Sequence, residues 1–365
     1  MTTTLLYLLA FVFVLSLVVI VHEGGHFVVA RLCGVKVTEF AMGFGKKLFS
    51  KQDKHGTAWQ LRLIPLGGYV KMLGDEDAAS AKSSTKDIPE EDKNKTFLSK
   101  TLAQRAAIIF AGPAMNYVFA FVLLVGLFWG LGEIIVRPVI GSVMSGSAAE
   151  EAGLQPHDEI VSINEIPIES FADIQRKVLL TNYGQELSLK IKRNDEILDV
   201  ALTPRIEEKT DRPLIGITAA GDTVVVNEDL SFLSSCQKAA QVIYETTRDT
   251  LIYLGQVLTG KRSPKDMRGP LGIAEASGDA LLGGFISLIA FVAQISIAIG
   301  LMNLLPIPLL DGGHLFFYAI EAIRRKPLTE KMQTAIMWAG FGILITIFAY
   351  TMLLDIPRII QRVVG

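Results

Sequence analysis

From Leu5 to Val21 the chain is almost wholly apolar, and the run passes without a break into His22-Glu23-Gly24-Gly25-His26. A stretch of this kind is expected to be a membrane-spanning helix. A hydrocarbon core of ~30 Å takes about 20 helical residues, and within lipid the backbone must satisfy its own hydrogen bonds. His22 and His26 stand four apart on one helical face, spaced to hold one metal ion, with Glu23 between them placed as a base. A hydrolytic zinc site at this depth implies an enzyme that cuts peptide bonds within or beside the bilayer. The 365 residues include only five histidines, so an i,i+4 pair inside an apolar helix is hard to ascribe to chance. The N-terminus lacks the positive charges of a secretory signal, and no small-residue cleavage site interrupts the run, so the helix is expected to be retained.

Half of the chain is hydrophobic, which fits several spans and leaves room for a water-exposed portion. The net charge of -2 gives no nucleic-acid signature. Two cysteines, Cys33 and Cys236, make no disulfide framework. Cys33 is either a small buried thiol or a fourth metal ligand. The expected fold class is a polytopic α-helical membrane protein. It has four transmembrane helices, a membrane-associated β-hairpin and an inserted small mixed α/β domain. The segments are a first span with the zinc motif over 1–30, a loop over 31–100, and a second span over 101–130. An inserted domain over 136–222 and an amphipathic helical linker over 230–280 follow. A third span then runs over 281–312 with a Pro-rich break at its end, and a fourth over 333–355.

Charge sets the orientation. Lys36, Lys46, Lys47, Lys51, Lys54, Arg62 and Lys71 follow the first span, and Arg324, Arg325, Lys326 and Lys331 lie between the third and fourth. Both connections should be cytoplasmic, with the termini and the inserted domain outside. Within the first loop, residues 53–75 read as a strand pair. Pro65-Leu66-Gly67-Gly68 is the expected turn. The strand residues Leu61, Arg62, Leu63, Ile64, Gly67, Gly68, Tyr69 and Val70 form either a surface hairpin or an edge that pairs with an extended substrate. Residues 76–96 are a polar stretch.

These motifs together resemble the site-2 proteases, which are intramembrane zinc metalloproteases. The resemblance rests first on His22-Glu23-Gly24-Gly25-His26 paired with the distant Asn303-Leu304-Leu305-Pro306-Ile307-Pro308-Leu309-Leu310-Asp311-Gly312-Gly313-His314. Gly112-Pro113-Ala114-Met115-Asn116, Gly67-Gly68-Tyr69-Val70 and Arg268-Gly269-Pro270-Leu271-Gly272-Ile273-Ala274 add to it. The bacterial regulator-of-sigma-E protease group is the nearest resemblance, in a form with room for a single PDZ domain. Ser147-Ala148-Ala149, Gly153-Leu154 and Gln155-Pro156-His157-Asp158-Glu159-Ile160 resemble the middle of that domain.

The resemblance implies one Zn2+ held by His22, His26 and Asp311, with Glu23 as general base. The sequence agrees: an ionisable Asp311 beside Pro306 and Pro308 in an apolar context is expensive unless it binds something. Two imidazoles and one carboxylate leave a fourth position for water. A helix cap is the structural alternative for Asp311. Asn303 and Asn116 are candidates for oxyanion stabilisation or substrate binding, with interhelical packing the alternative for Asn116. His314 reads as a structural neighbour of the site. The inserted domain is either a size filter that rejects substrates with bulky outer portions or, as in a conventional PDZ domain, a binder of C-terminal carboxylates with its groove at Val139, Ile140, Gly141 and Ser142.

The implied substrates are transmembrane helices of single-span proteins, anti-sigma-factor-like in relatives, with an upstream site-1-type protease as a possible partner. The implied setting is a bacterial inner membrane. Clearance of leftover signal peptides by the same site is the alternative. A membrane scaffold with a peptide-binding module fits less well, because it leaves the histidines, Glu23 and Asp311 without a role. A transporter fits less well still, since the spans show no paired repeat.

Overall fold

The computed structural model describes residues 2–74, 88–207, 212–221, 224–227, 230–264, 267, 269–326 and 328–364. Residues 76–87 of the polar stretch, and Arg268, lie outside them. The chain divides into two compact units, one of residues 1–124 with 268–365 and one of residues 125–267.

In the first unit, α1 (Thr2–Leu32) carries the apolar run and the histidine motif on one continuous helix. Its 31 residues extend about 46 Å, longer than a hydrocarbon core. Four helical stretches are long and apolar enough to cross a membrane: Thr4–Leu32, Leu102–Leu131, Phe285–Leu304 and Lys331–Ile356. The second is α2 (Leu102–Leu131), which holds Pro113 inside the helix. Apolar side chains such as Leu8, Phe13, Val122, Phe341 and Phe348 point outward, as a lipid-facing surface requires. Val14, Val18 and Val292 pack inward against one another.

The loop after α1 differs from expectation. It forms two long strands, β1 (Val37–Gln52) and β2 (Ala58–Met72), that fold back on each other. The tight turn is Asp53–Thr57, where the Asp53 carboxylate accepts the N–H groups of His55 and Thr57. Burial pushes that carboxyl up, but these bonds, with those from Trp59 and Arg31, hold it well below the usual range. Pro65–Gly68 falls within the span of β2, yet the chain does reverse there: 58–61 runs in the same direction as 37–42 and 68–72 in the opposite one, so what differs from expectation is that the two segments flank 37–42 and do not pair with each other. The segment 37–42 pairs on one side with 68–72 and on the other with 58–61, which in turn pairs with 49–52. Gly68, Tyr69 and Val70 are thus on an edge. Leu61 is enclosed between Met42 and Phe49, Arg62 pairs with Lys47, and Ile64 pairs with Phe44. Leu61, paired on both sides, is interior to the sheet and cannot offer a free edge.

The expected linker over 230–280 also divides. Helix α5, introduced below, belongs to the second unit, and α6 (Pro270–Leu282) to the first. Helix α6 packs on α1: Tyr7 donates to Asp279, and a Cβ on Gly278 would overlap the Tyr7 ring. Gly284, at φ 95°, breaks the chain before α7 (Phe285–Leu304), so the third span starts later than 281. The Pro-rich break leads into α8 (Asp311–Arg324), and α9 (Glu330–Val364) closes the unit.

The second unit begins within the end of α2, followed by β3 (Glu133–Val136) and β4 (Ile140–Val143). The helix α3 (Ala148–Glu151) precedes β5 (Glu159–Ile163), β6 (Ile166–Pro167) and the helix α4 (Phe171–Leu179). Strands β7 (Leu187–Arg193), β8 (Glu196–Leu202), β9 (Arg205–Glu207) and β10 (Arg212–Leu214) follow. The last are β11 (Ile217–Ala219) and β12 (Val224–Asn227), before α5 (Phe232–Leu258). One sheet has the order β6-β5-β7-β8, β4 pairs with β11, and β3 pairs with β12. Alternation in β7 buries Leu187, Leu189 and Ile191 against Ile140, Ile160 and Ile174. Asn194 and Asp195, both at positive φ, close the β7–β8 hairpin. Helix α4 carries a capping box from Ser170 and Asp173.

Leu189 is fully buried at the centre of that core. Leu189→Ala should destabilise the second unit by about 2–5 kcal/mol through the lost burial and the cavity left behind. Hydrogen exchange of the full-length protein should show faster exchange in β5 and β7 and unchanged exchange in α1. Equal protection of β5 and β7 in both proteins would remove Leu189 from the core.

Candidate metal centre

His22 and His26 are one helical turn apart on α1, and both are largely buried, at 8% and 7% exposure. The chain returns to them at the start of α8. After Leu304 the backbone extends, passes Pro306 and Pro308, and takes a left-handed turn at Leu309, φ 77°. The first turn of α8 packs so tightly under this loop that only glycine fits. A Cβ on Gly312 would lie 2.1 Å from the Leu305 oxygen, and one on Gly313 2.5 Å from the Ile307 oxygen. This packing presents Asp311. Arg105 of α2 fixes α8 further along, pairing with Glu321 at 2.7 Å and lying over the Tyr318 ring.

The three side chains converge. His22 Nε2 and His26 Nε2 are 3.3 Å apart, and Asp311 Oδ2 is 3.1 Å from the first and 3.4 Å from the second. Bonds of 2.0–2.1 Å to a tetrahedral zinc put ligand atoms roughly 3.3 Å apart, so all three separations fit one ion. The buried Asp311 Oδ2 makes no hydrogen bond of acceptable geometry although both nitrogens are near it. Atoms that face a common centre rather than each other are what a shared cation requires. Among the described residues, this is the group that could hold a metal. Asp311 is the first residue of α8, and no side-chain cap bond is present there, so the helix-cap reading does not apply. Cys33 instead packs beside the apolar cluster of Ala30, Phe97 and Ile108 and is not in the group.

Helix α2 backs both imidazoles. His26 Nδ1 lies 2.9 Å from the Ile108 carbonyl, and His22 Nδ1 lies 3.3 Å from the Asn116 amide. Gly112 comes so near that a Cβ there would sit 2.3 Å from His26 Nε2. Asn116 thus contacts the ring edge of His22 turned away from Asp311 and does not line the cavity beside Glu23. The role of Gly112 is legible only once α1 and α2 are packed together.

Glu23 and the metal group open onto a cavity of about 350 Å³. Gly68, Tyr69 and Val70 line it, so the free edge of β2 borders the centre, and Asn303 and His314 line it too. Asn303 Nδ2 donates to its own helix at Ile299, 3.1 Å away. At Gly68 the strand comes close to the base, and a Cβ there would meet the Glu23 side chain at 3.2 Å. Tyr69 is held by its hydroxyl, which donates to Glu39 at 2.8 Å. Burial and that carboxylate push the hydroxyl up to about 12, so it stays a neutral donor.

A second cavity, of about 570 Å³, lies in the other unit between β11 and α4, with Phe171, Gln175, Ile217, Thr218 and Ala219 among its walls. The expected groove residues Val139, Ile140, Gly141 and Ser142 do not line it. They sit one strand behind, because β11 adds to the edge of β4. Ile140 is buried in the core, and a Cβ on Gly141 would meet the Ala219 oxygen at 2.4 Å.

The model of peptidase family M50 matches residues 10–347. A candidate zinc metalloprotease of Agrobacterium fabrum is 37% identical over 97% of this chain and 96% of its own length. One of Rhizobium meliloti is 38% identical over 93% and 94%. One of Clostridium acetobutylicum is 34% identical over 93% and 94%. Among solved structures, the PDZ domain of an SdrC-like protein from Listeria monocytogenes covers 24% of this chain and 90% of its own, at 22% identity and a TM-score of 0.22.

Proposed function

The chain belongs to peptidase family M50 and is a zinc metalloprotease of the site-2 type, and from that premise we propose that it hydrolyses peptide bonds inside the transmembrane segments of single-span membrane proteins. The observation that carries the reading is the meeting of three ligand atoms 3.1–3.4 Å apart among apolar helices. One zinc ion fills such a set, with His22, His26 and Asp311 as its protein ligands. Bound there, zinc supplies Lewis acidity at the scissile carbonyl. Glu23 takes the attacking water's proton and returns it to the leaving nitrogen. No covalent enzyme intermediate is needed.

A transmembrane helix has its backbone bonds satisfied internally, so cutting it requires local unwinding. The free edge at Gly68–Val70 offers replacement backbone partners beside Glu23, in the manner of strand addition. Asn303, which also lines the cavity, serves as a substrate-backbone contact in this reading. The bilayer is the working environment, and the lysine-rich and arginine-rich connections support a cytoplasmic hairpin and an external inserted domain. In a bacterial inner membrane, substrates of this class include anti-sigma-factor-like proteins already trimmed by a site-1-type protease. Purified protein should cut a model transmembrane peptide and lose that activity to a zinc chelator; chelator-resistant cleavage would count against the reading.

The second unit acts as a size filter on the outer portions of substrates. Its own cavity favours a second role, docking of an extended peptide between β11 and α4. Val136 pairs directly with Val224 across the β3–β12 stem, so 137–223 can be excised and the ends joined by a short turn. A filter predicts that the excised protein cuts substrates with bulky outer domains that the intact one rejects. Loss of cleavage of already trimmed substrates would show that docking is required instead.

A further inference from the structure

Asn116 is fully buried, and its position is over-determined. Its main-chain carbonyl oxygen accepts the Ser296 hydroxyl at 2.9 Å, and α7 approaches so closely that a Cβ on Gly300 would come within 3.2 Å of the Asn116 Cβ. As placed, the amide Nδ2 lies 3.3 Å from His22 Nδ1, and Oδ1 is buried without a partner. The two ends of an amide have nearly the same shape, so hydrogen-bond chemistry decides which end faces the ring. An imidazole that ligates through Nε2 must carry its proton on Nδ1, and that proton needs an acceptor. His26 already meets this condition, since its Nδ1 is 2.9 Å from the Ile108 carbonyl, which can only accept. For His22 the partner is the Asn116 amide.

We infer that Asn116 presents Oδ1 to His22 Nδ1–H, and so is the positioning residue that fixes the metal-binding tautomer and ring orientation of His22. The inference rests on the zinc reading above and adds a residue to it. One histidine is oriented by the main chain and the other by a side chain, so the second can be tested by substitution. In this orientation the amide nitrogen takes the buried place where the opposite end of the amide has no protein partner. A carboxylate, which has no N–H, is therefore expected to serve at least as well as the amide.

The test uses the full-length protein in detergent, titrated with Zn2+ and with Co2+ against a chelator of known affinity. Asn116→Asp should bind as tightly as wild type or more tightly. Asn116→Leu, close in volume but without an acceptor, should bind 10- to 100-fold more weakly. The melting temperature of each metal-free variant separates packing damage from lost orientation, since only packing damage moves it. Equal metal affinity for Asn116→Leu and wild type would overturn the inference. So would an Asn116→Asp variant as weak as Asn116→Leu, since it would mean that His22 needs the N–H end. Absence of stoichiometric zinc in the wild type would instead overturn the zinc reading and this inference with it.

Discussion

Glu23→Gln lowers peptide hydrolysis by about 10²- to 10⁴-fold while zinc stays bound, the range expected when a positioned general base is lost. Gln has the shape of Glu but cannot take up a proton at neutral pH. The substitution leaves His22, His26 and Asp311 untouched, and these three atoms define the metal group. It also preserves the fit against Gly68, where a Cβ would lie 3.2 Å from the side chain. Zinc content and melting temperature should therefore match the wild type while cleavage of a transmembrane peptide nearly disappears. Equal cleavage by the two proteins would take Glu23 out of the mechanism. In cells, membrane fractions from the variant should accumulate uncut or half-processed proteins, and these are the natural substrates. An unchanged membrane proteome would leave the reading of a single-span substrate class without support.

The parts of this protein that sequence reveals are those written in one stretch of chain. Apolar length alone finds the four spans, because lipid leaves a helix as the only economical choice. The histidine pair is legible because i and i+4 share a face. Asp311 is legible because an ionisable residue among prolines and apolar neighbours demands a partner. The failures share another cause. Pro65-Leu66-Gly67-Gly68 does lie where the chain reverses, but the segments on its two sides flank 37–42 and do not pair with each other, and a further turn at 53–57 is set by side-chain bonds from Asp53. The groove of the second unit was expected at Val139–Ser142, but β11, more than seventy residues later, covers that edge. Gly283 and Gly284 separate α6 from α7 inside a segment whose hydropathy is continuous. In each case a contact between distant segments overrides a local signal.

Gly112 shows how such a contact becomes a requirement for function. A Cβ at this position would lie 2.3 Å from His26 Nε2 and 2.9 Å from His22 Cε1, closer than nonbonded carbon and nitrogen approach in real structures. The rings have little room to retreat, since their Nδ1 atoms are engaged with Ile108 and Asn116 on the same helix. Helix α2 cannot simply move away, because α1 and α2 already meet at backbone contact, where a Cβ on Gly25 would be 2.2 Å from the Ala111 oxygen. Overpacking of this kind costs about 1–3 kcal/mol, offset in part by the roughly 1 kcal/mol by which alanine is the better helix former. Gly112→Ala should therefore lower the metal-free melting temperature modestly and push His26 out of the ligand set. Zinc affinity should fall on the order of 100-fold or more, beyond the effect of losing a supporting hydrogen bond, with cleavage falling in step. Gly126→Ala is the matched control on the same helix, since a Cβ there meets nothing within 4 Å. It should bind zinc and cut like wild type. If Gly112→Ala also bound zinc like wild type, the two imidazoles would not converge beneath this glycine, and the geometry assigned to the metal centre would be wrong.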